Sequence, residues 1–365
     1  LSQQATQPWI PATAPAVDLA YGAPAARLLL PAGDLNDPRY REQWDEIRRG
    51  GIGGSEVAAL LGLDKYRGPR HVFEAKHGRA VASGAALSEY AEVGQEIEDF
   101  IAYMFTKRSG IPAVPTPGTL ANVDRPWMRC NVDRYALDAE SGVVLAPVEL
   151  KNRSEYQLDD WTEGVPDGPA LQVHWNMAVG GWSYGWAVAL VGGNKLLFHR
   201  IERDDELIDT LIDVCGRWYQ RHVIEGFPPP ADGLEATKEL LGRLWEAKPN
   251  EVVEVPRDKA VRLRKRRASL IEQIKELDAE RNTVENEMRL ISESAAVAKS
   301  GKSVAWSWKQ NGNFAAKRFQ EEDPDLAAEY MTTVKVVDVE RLKDEKPLVY
   351  EKYRARVLRV PAKEL

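Results

Sequence analysis

At 365 residues, 44% of them hydrophobic, the chain is long enough for one large domain with additions, or for two or three smaller domains with a substantial core. A formal charge of −7 excludes a polycation that coats nucleic acid regardless of sequence, but leaves room for a local basic groove. Cys130 and Cys215 are the only cysteines, too few for a four-cysteine zinc or iron–sulfur site or a disulfide framework, and they read as reduced thiols in a cytoplasmic protein. No apolar run is long enough to span a membrane and no basic-then-apolar leader opens the chain, so neither a membrane partner nor a signal peptide is expected.

Residues 1–36, rich in Ala, Pro and Gln, predict an extended or poorly ordered arm, with one short packed piece at Ala26–Leu30. Asp37-Pro38 opens a helix that runs to Arg48-Arg49. Gly50 to Glu56 then forms a glycine-rich turn feeding the apolar helix that starts at Val57, with Ser55 read as its cap. Such a turn holds an anion on free backbone N–H groups, and Arg48 adds a guanidinium fork suited to phosphate, although an ordinary capped helix has the same pattern. It is neither a Walker A loop nor a dinucleotide fingerprint, since Gly-Lys-Ser/Thr is missing and no strand is read before it. The basic loop Lys65–Arg70 suits either solvent or a nucleic-acid backbone.

Glu89 to Ser109 predicts a long helix with Glu98 on its apolar side, where a carboxylate needs a partner or a metal. Met128 to Gln172 reads as a β-hairpin turning at Glu140-Ser141-Gly142, followed by a helix over 170–179. With the hairpin centred on Ser141, Asp133 lies opposite Glu149 to within one register step, and strand period two puts Glu149 and Lys151 on one face. Two carboxylates and a lysine in one patch suit a hard cation such as Mg2+, with Mn2+ as a substitute, and a lysine that orients water or offsets developing charge. Two strands, at 183–190 and 195–201, and a helix over 204–223 complete this domain, and Pro228-Pro229-Pro230 marks its end.

Beyond the prolines, a short helix over 234–247 precedes a long one over 257–296. Leu270, Ile274, Leu277, Val284, Met288 and Ile291 form a coiled-coil seam on the long helix, which Arg267 and Arg281 interrupt in a way that disfavours a long parallel dimer. Strand-like pieces at 303–309, 333–339 and 356–360 predict a small α+β appendage. The expected division is therefore an arm over 1–36, a catalytic domain over 37–230, a helical hairpin or coiled-coil arm over 231–300 and the appendage over 301–365.

The segment from Arg48 through Glu56 resembles the opening motif of YqaJ-like viral recombinases and lambda exonuclease, and Gly94-Gln95-Glu96-Ile97-Glu98 resembles the next. Asp133, Glu149-Leu150-Lys151 and Gln172 match the acid, the Glu-x-Lys and the glutamine-led helix of the PD-(D/E)XK nuclease superfamily, and His174, Trp175 and Met177 continue that helix's pattern. The resemblance covers about residues 38–225, and Val132-Asp133-Arg134 departs from the usual Pro-Asp-Gly at the first metal acid. It implies an α/β fold: a PD-(D/E)XK core, a mixed β-sheet flanked by helices. It also implies a metal site of Glu98, Asp133, Glu149 and the Leu150 carbonyl, with Lys151 and Gln172 positioning water, and Arg48 and Ser55 gripping a 5′ phosphate. The implied activity is Mg2+-dependent 5′-to-3′ digestion of double-stranded DNA ends, leaving 3′ overhangs for a single-strand annealing protein. A homo-oligomer, such as a trimer, is implied as well. A superfamily endonuclease and a degenerate DNA- or partner-binding module are the alternatives.

Overall fold

The computed structural model describes residues 22–79, 93–245, 248, 251–332 and 336–354. The chain divides into two compact units, Leu1–Glu246 and Ala247–Leu365.

The first unit is built on two sheets. The smaller has the order β1-β4-β5-β2, with β1 (Ala26–Pro31), β2 (Ile52–Gly53), β4 (Gly118–Asn122) and β5 (Met128–Cys130). The short packed piece expected at 26–30 is thus a strand, antiparallel to β4. The larger has the order β3-β6-β7-β8-β9, with β3 (Ala113–Val114), β6 (Arg134–Leu137), β7 (Val144–Arg153), β8 (Tyr184–Val191) and β9 (Lys195–Glu202). Its neighbours are antiparallel except β7 and β8, which run parallel because a helical crossover separates them. The hairpin register pairs Arg134 with Val148 and Ala136 with Ala146, so Asp133 stands opposite Glu149 one step beyond the ladder, as the turn at Ser141 predicts.

The pleat of β7 sorts its residues to two faces. Ala146, Val148 and Leu150 pack with Ile101 and Phe105 of a helix on one side, while Glu149 and Lys151 turn to the other. Val188 and Leu190 of β8 follow the first face, and Ala187 and Ala189 the second, where Val173, Trp175 and Met177 cover them. Small residues at 187 and 189, directly beside Glu149 and Lys151 in the parallel register, leave room for those two side chains.

The helices of this unit are α1 (Pro38–Arg49), α2 (Gly54–Leu60), α3 (Pro69–Lys76), α4 (Glu98–Ser109), α5 (Leu158–Glu163), α6 (Asp167–Gly180), α7 (Asp205–Trp218) and α8 (Glu235–Leu244). Helix α1 starts as its sequence dictates, with the Asp37 side chain accepting from the Arg39 N–H and Pro38 in the first turn. Helix α4 is the described part of the long helix expected from Glu89; residues 93–96 are helical, Ile97 interrupts them, and α4 ends at Gly110 in the left-handed conformation. Helix α8 packs on α3 in this first unit, where His71 Nε2 meets the Ala236 carbonyl at 3.2 Å. The arm expected over 231–300 is therefore divided, its short helix in one unit and its long helix in the other.

In the second unit α9 (Arg257–Ser292) is a single helix of 36 residues, followed by a hairpin of β10 (Val297–Ser300) and β11 (Ser303–Ser307). Trp306 Nε1 donates to Ser292 Oγ at 2.8 Å and ties the hairpin to the end of the helix. Short helices follow at Ala316–Glu322, Pro324–Glu329, Val339–Glu345 and Pro347–Lys352. Of the three strands expected here only the one at Ser303 forms among the described residues; Val339 begins a helix capped by the Asp338 side chain, and 333–335 and 356–360 lie outside the described residues.

Candidate active site

A cleft of about 210 Å³ opens at the edge between the two sheets, and every residue singled out from the sequence as catalytic, metal-binding or phosphate-binding lines it: Arg48, Ser55, Glu98, Asp133, Glu149, Leu150, Lys151 and Gln172. They arrive from five elements. Strand β7 supplies Glu149 and Lys151, and the residue before β6 supplies Asp133. Helix α4, on the other face of the sheet, contributes Glu98 as its first residue, so the carboxylate reaches past the sheet end. Helix α6 supplies Gln172, the last turn of α1 supplies Arg48 and the first turn of α2 supplies Ser55.

Glu149 is 1% exposed and has both oxygens engaged. Lys151 Nζ bridges Oε1 and also donates to Gln172 Oε1 at 3.2 Å; Asn176 Nδ2 donates to Glu149 Oε2 at 3.2 Å. Asp133 Oδ2 accepts from the Leu150 N–H at 2.7 Å. Burial, reinforced by the Asp133 charge, pushes Glu149 up to about 8 and Glu98 up to about 7. Asp133 is raised chiefly by burial. Lys151 is held above its ordinary value: burial opposes its charge, but Glu149 and Asp133 outweigh that. Arg134, the residue that replaces the usual glycine, lies 3.8 Å from Glu98 Oε2 and also pairs with Asp99, which places its guanidinium beside the acid cluster.

The donor set is one that suits a divalent cation. Three carboxylates and a backbone carbonyl are hard oxygen donors, and the acids carry more negative charge than Lys151 and Arg134 offset. Among the described residues no three acidic, histidine or cysteine side chains already stand at metal-ligand spacing. Lys151 is paired with Glu149, and Asp133 accepts from the Leu150 N–H.

The wall opposite the acids differs from expectation in two respects. Ser55 is not the cap of α2; Gly53 is, and Glu56 closes the turn by accepting from the Gly53 N–H at 2.9 Å. A two-residue strand, β2, does precede the turn, because Ile52 and Gly53 pair with Met128 and Arg129 of β5. Ser55 itself is exposed, and Arg48 stacks over Trp44 at 4.6 Å and reaches Glu56 Oε1 at 3.6 Å.

Three contributors were not read from the sequence. Asn176 lies one helical turn after Gln172, and that i, i+4 spacing was the available signal. Glu56 and Lys76 form a buried pair at 2.6 Å, and Lys76 also donates to the Arg48 carbonyl at 2.7 Å. Burial would raise the Glu56 pKa, but Lys76 and Arg48 hold it below the usual carboxylate value, while burial lowers Lys76 to about 8. No local pattern announces this pair, because its members are joined only when α3 folds against α2.

A mixed sheet flanked by helices, with an acid and a Glu-x-Lys meeting on one face at a sheet end, is the PD-(D/E)XK core. The model of the YqaJ-like viral recombinase domain matches residues 43–183, and the protein YqaJ of Bacillus subtilis (strain 168) is 31% identical over 297 residues, which is 80% of this chain and 91% of that protein. The chain belongs to the YqaJ-like viral recombinase family. Two solved structures overlap half of it: an alkaline exonuclease from Laribacter hongkongensis (17% identity, TM-score 0.40, 50% of this chain and 93% of that one) and a phage-related exonuclease from Haemophilus somnus 129PT (11% identity, TM-score 0.36, 48% and 96%). Among the described residues no helix is long and apolar enough to cross a membrane.

Proposed function

We propose that the chain is a metal-dependent deoxyribonuclease that digests linear double-stranded DNA from its 5′ ends and leaves 3′ single strands for an annealing protein. The observation that carries this reading is the meeting of Asp133, Glu149, Lys151, Glu98 and Gln172 in one cleft whose opposite wall holds Arg48 and Ser55. Glu98, Asp133, Glu149 and the Leu150 carbonyl would hold Mg2+ or Mn2+. A cation bound there lowers the pKa of a water and offsets charge on the phosphoryl oxygens. Lys151, released from Glu149, and Gln172 orient the attacking water, and the lysine's positive charge faces the developing negative charge. Arg48 and Ser55 grip the terminal phosphate, which selects an end over an internal bond.

The test is digestion of end-labelled linear duplex, with 5′-phosphate against 5′-hydroxyl ends and metal against chelator. Metal-dependent loss from phosphorylated ends is expected, with Lys151→Ala and Glu149→Ala each lowering the rate by about 100-fold or more. Arg48→Ala is expected to abolish the preference for a 5′ phosphate. Cleavage of closed circular DNA would replace the exonuclease reading with an endonuclease, and binding without cleavage in either metal would remove the enzyme reading.

A further inference from the structure

Helix α9 is 36 residues and about 54 Å long, and Ser292 is its one buried residue. Leu263, Leu270, Leu277, Val284 and Ile291 recur along it at every seventh position and are between 40% and 69% exposed. Taken as d positions, they set Ala260, Arg267, Ile274, Arg281 and Met288 at a. An apolar seam of this length left in water needs a partner helix.

The charge pattern selects the partner. Residues 257–267 carry seven basic side chains against one acidic, and residues 268–292 carry six acidic against three basic. A parallel pair of identical helices sets basic end on basic end, stacks Arg267 on Arg267 and Arg281 on Arg281, and faces Glu280 with Glu285. An antiparallel pair reverses each of these contacts. In the register that sets Ile274 against Leu277 of the other copy, Leu263 meets Met288 and Ala260 meets Ile291, and Arg267 and Arg281 each meet an apolar residue rather than a second arginine. The flanking positions then bring Arg266 to Glu287. Arg281 is already satisfied within its own helix by Asp278 at 3.1 Å and Glu285 at 3.6 Å. Among the described residues no ion pair is formed by Arg266 or Glu287. One register therefore buries the seam and pairs the charged ends.

We propose that α9 is the interface with a second copy of this chain, joined along its length as an antiparallel coiled coil. The assembly does not depend on the nuclease reading, and its test uses no DNA.

Sedimentation of the full chain at micromolar concentration is expected to show a reversible self-association that Leu270→Asp in the seam reduces. A single Arg266→Glu substitution sets glutamate against Glu287 twice per dimer and is expected to weaken it about 5-fold. The reciprocal pair Arg266→Glu/Glu287→Arg is expected to restore the wild-type affinity, which a folding defect would not do. Native Cys130 and Cys215 are buried, so introduced thiols report on the seam. An oxidised mixture of Leu263→Cys and Met288→Cys chains is expected to yield the mixed cross-link. A monomer, an assembly indifferent to Leu270→Asp, failure of the reciprocal pair to restore it, or cross-linking of Leu263→Cys chains to one another would each overturn the proposal.

Discussion

The two carboxylate oxygens of Glu149 answer to different partners: Lys151 takes one, and Asn176 holds the other from one turn beyond Gln172. A cation held by Glu149 would compete with the lysine for Oε1, with the amide still fixing Oε2. Asn176→Ala is therefore expected to weaken Mn2+ binding to the metal-free protein by about 10-fold in calorimetry, as loss of an outer partner of a ligand does; an unchanged affinity would leave the amide with a packing role only. The raised acids also set a pH response. Glu98 and Glu149, at about 7 and about 8 when folded against 4.5 ordinarily, bind more protons in the folded than in the unfolded chain across that interval. Their contribution to stability is full below about 4.5 and is lost as pH rises through 7 to 8. Thermal melts of metal-free protein are expected to fall over this range, and saturating Mg2+ is expected to flatten the fall. A melt that rises with pH in chelator would show that these acids are not crowded.

At the scale of elements, the turn from α1 to α2 is held from beneath. Lys76 joins α3 to Glu56 on α2 and to the Arg48 carbonyl in the last turn of α1. Its ammonium is buried, so Glu56→Gln leaves a charge without its partner, and a loss of about 3–5 kcal/mol in denaturant unfolding is expected. Glu56→Gln/Lys76→Met, which removes both charges, is expected to cost less than that single change. Equal losses would mean the pair adds nothing beyond shape. The close approach of α2 and α6 has a similar origin: a Cβ at Gly54 would lie 2.8 Å from Asn176 Oδ1 and 3.1 Å from Gln172 Cγ. The strands β6 and β7, and their register to within one step, were legible in the sequence, because a turn at Ser141 and period two act locally. The start of α2 was not, since Ser55 looks like a cap until Gly53 is seen to take that role, with Glu56 accepting from its N–H.

At the scale of the whole molecule, every candidate site residue lies in the first unit, and the exposed seam lies in the second. A chain ended after Glu246 keeps the cores around both sheets, and is expected to retain end-dependent DNA cleavage while losing the self-association carried by α9. Loss of cleavage from a folded fragment, judged by its melt, would mean that catalysis needs the assembly.

The sequence by itself determined the pairing of Asp133 with Glu149, the shared face of Glu149 and Lys151, and the heptad spacing of α9. Each rests on chain geometry over a few residues, where strand and helix periods decide which way a side chain turns. Only the tertiary structure decided that Arg48 and Ser55 face the acids across one cleft, that Lys76 lies beneath them, and that α8 belongs with α3. Those contacts join residues tens to hundreds of positions apart, and no local period fixes them; they follow from how the sheets and their covering helices fill a common core.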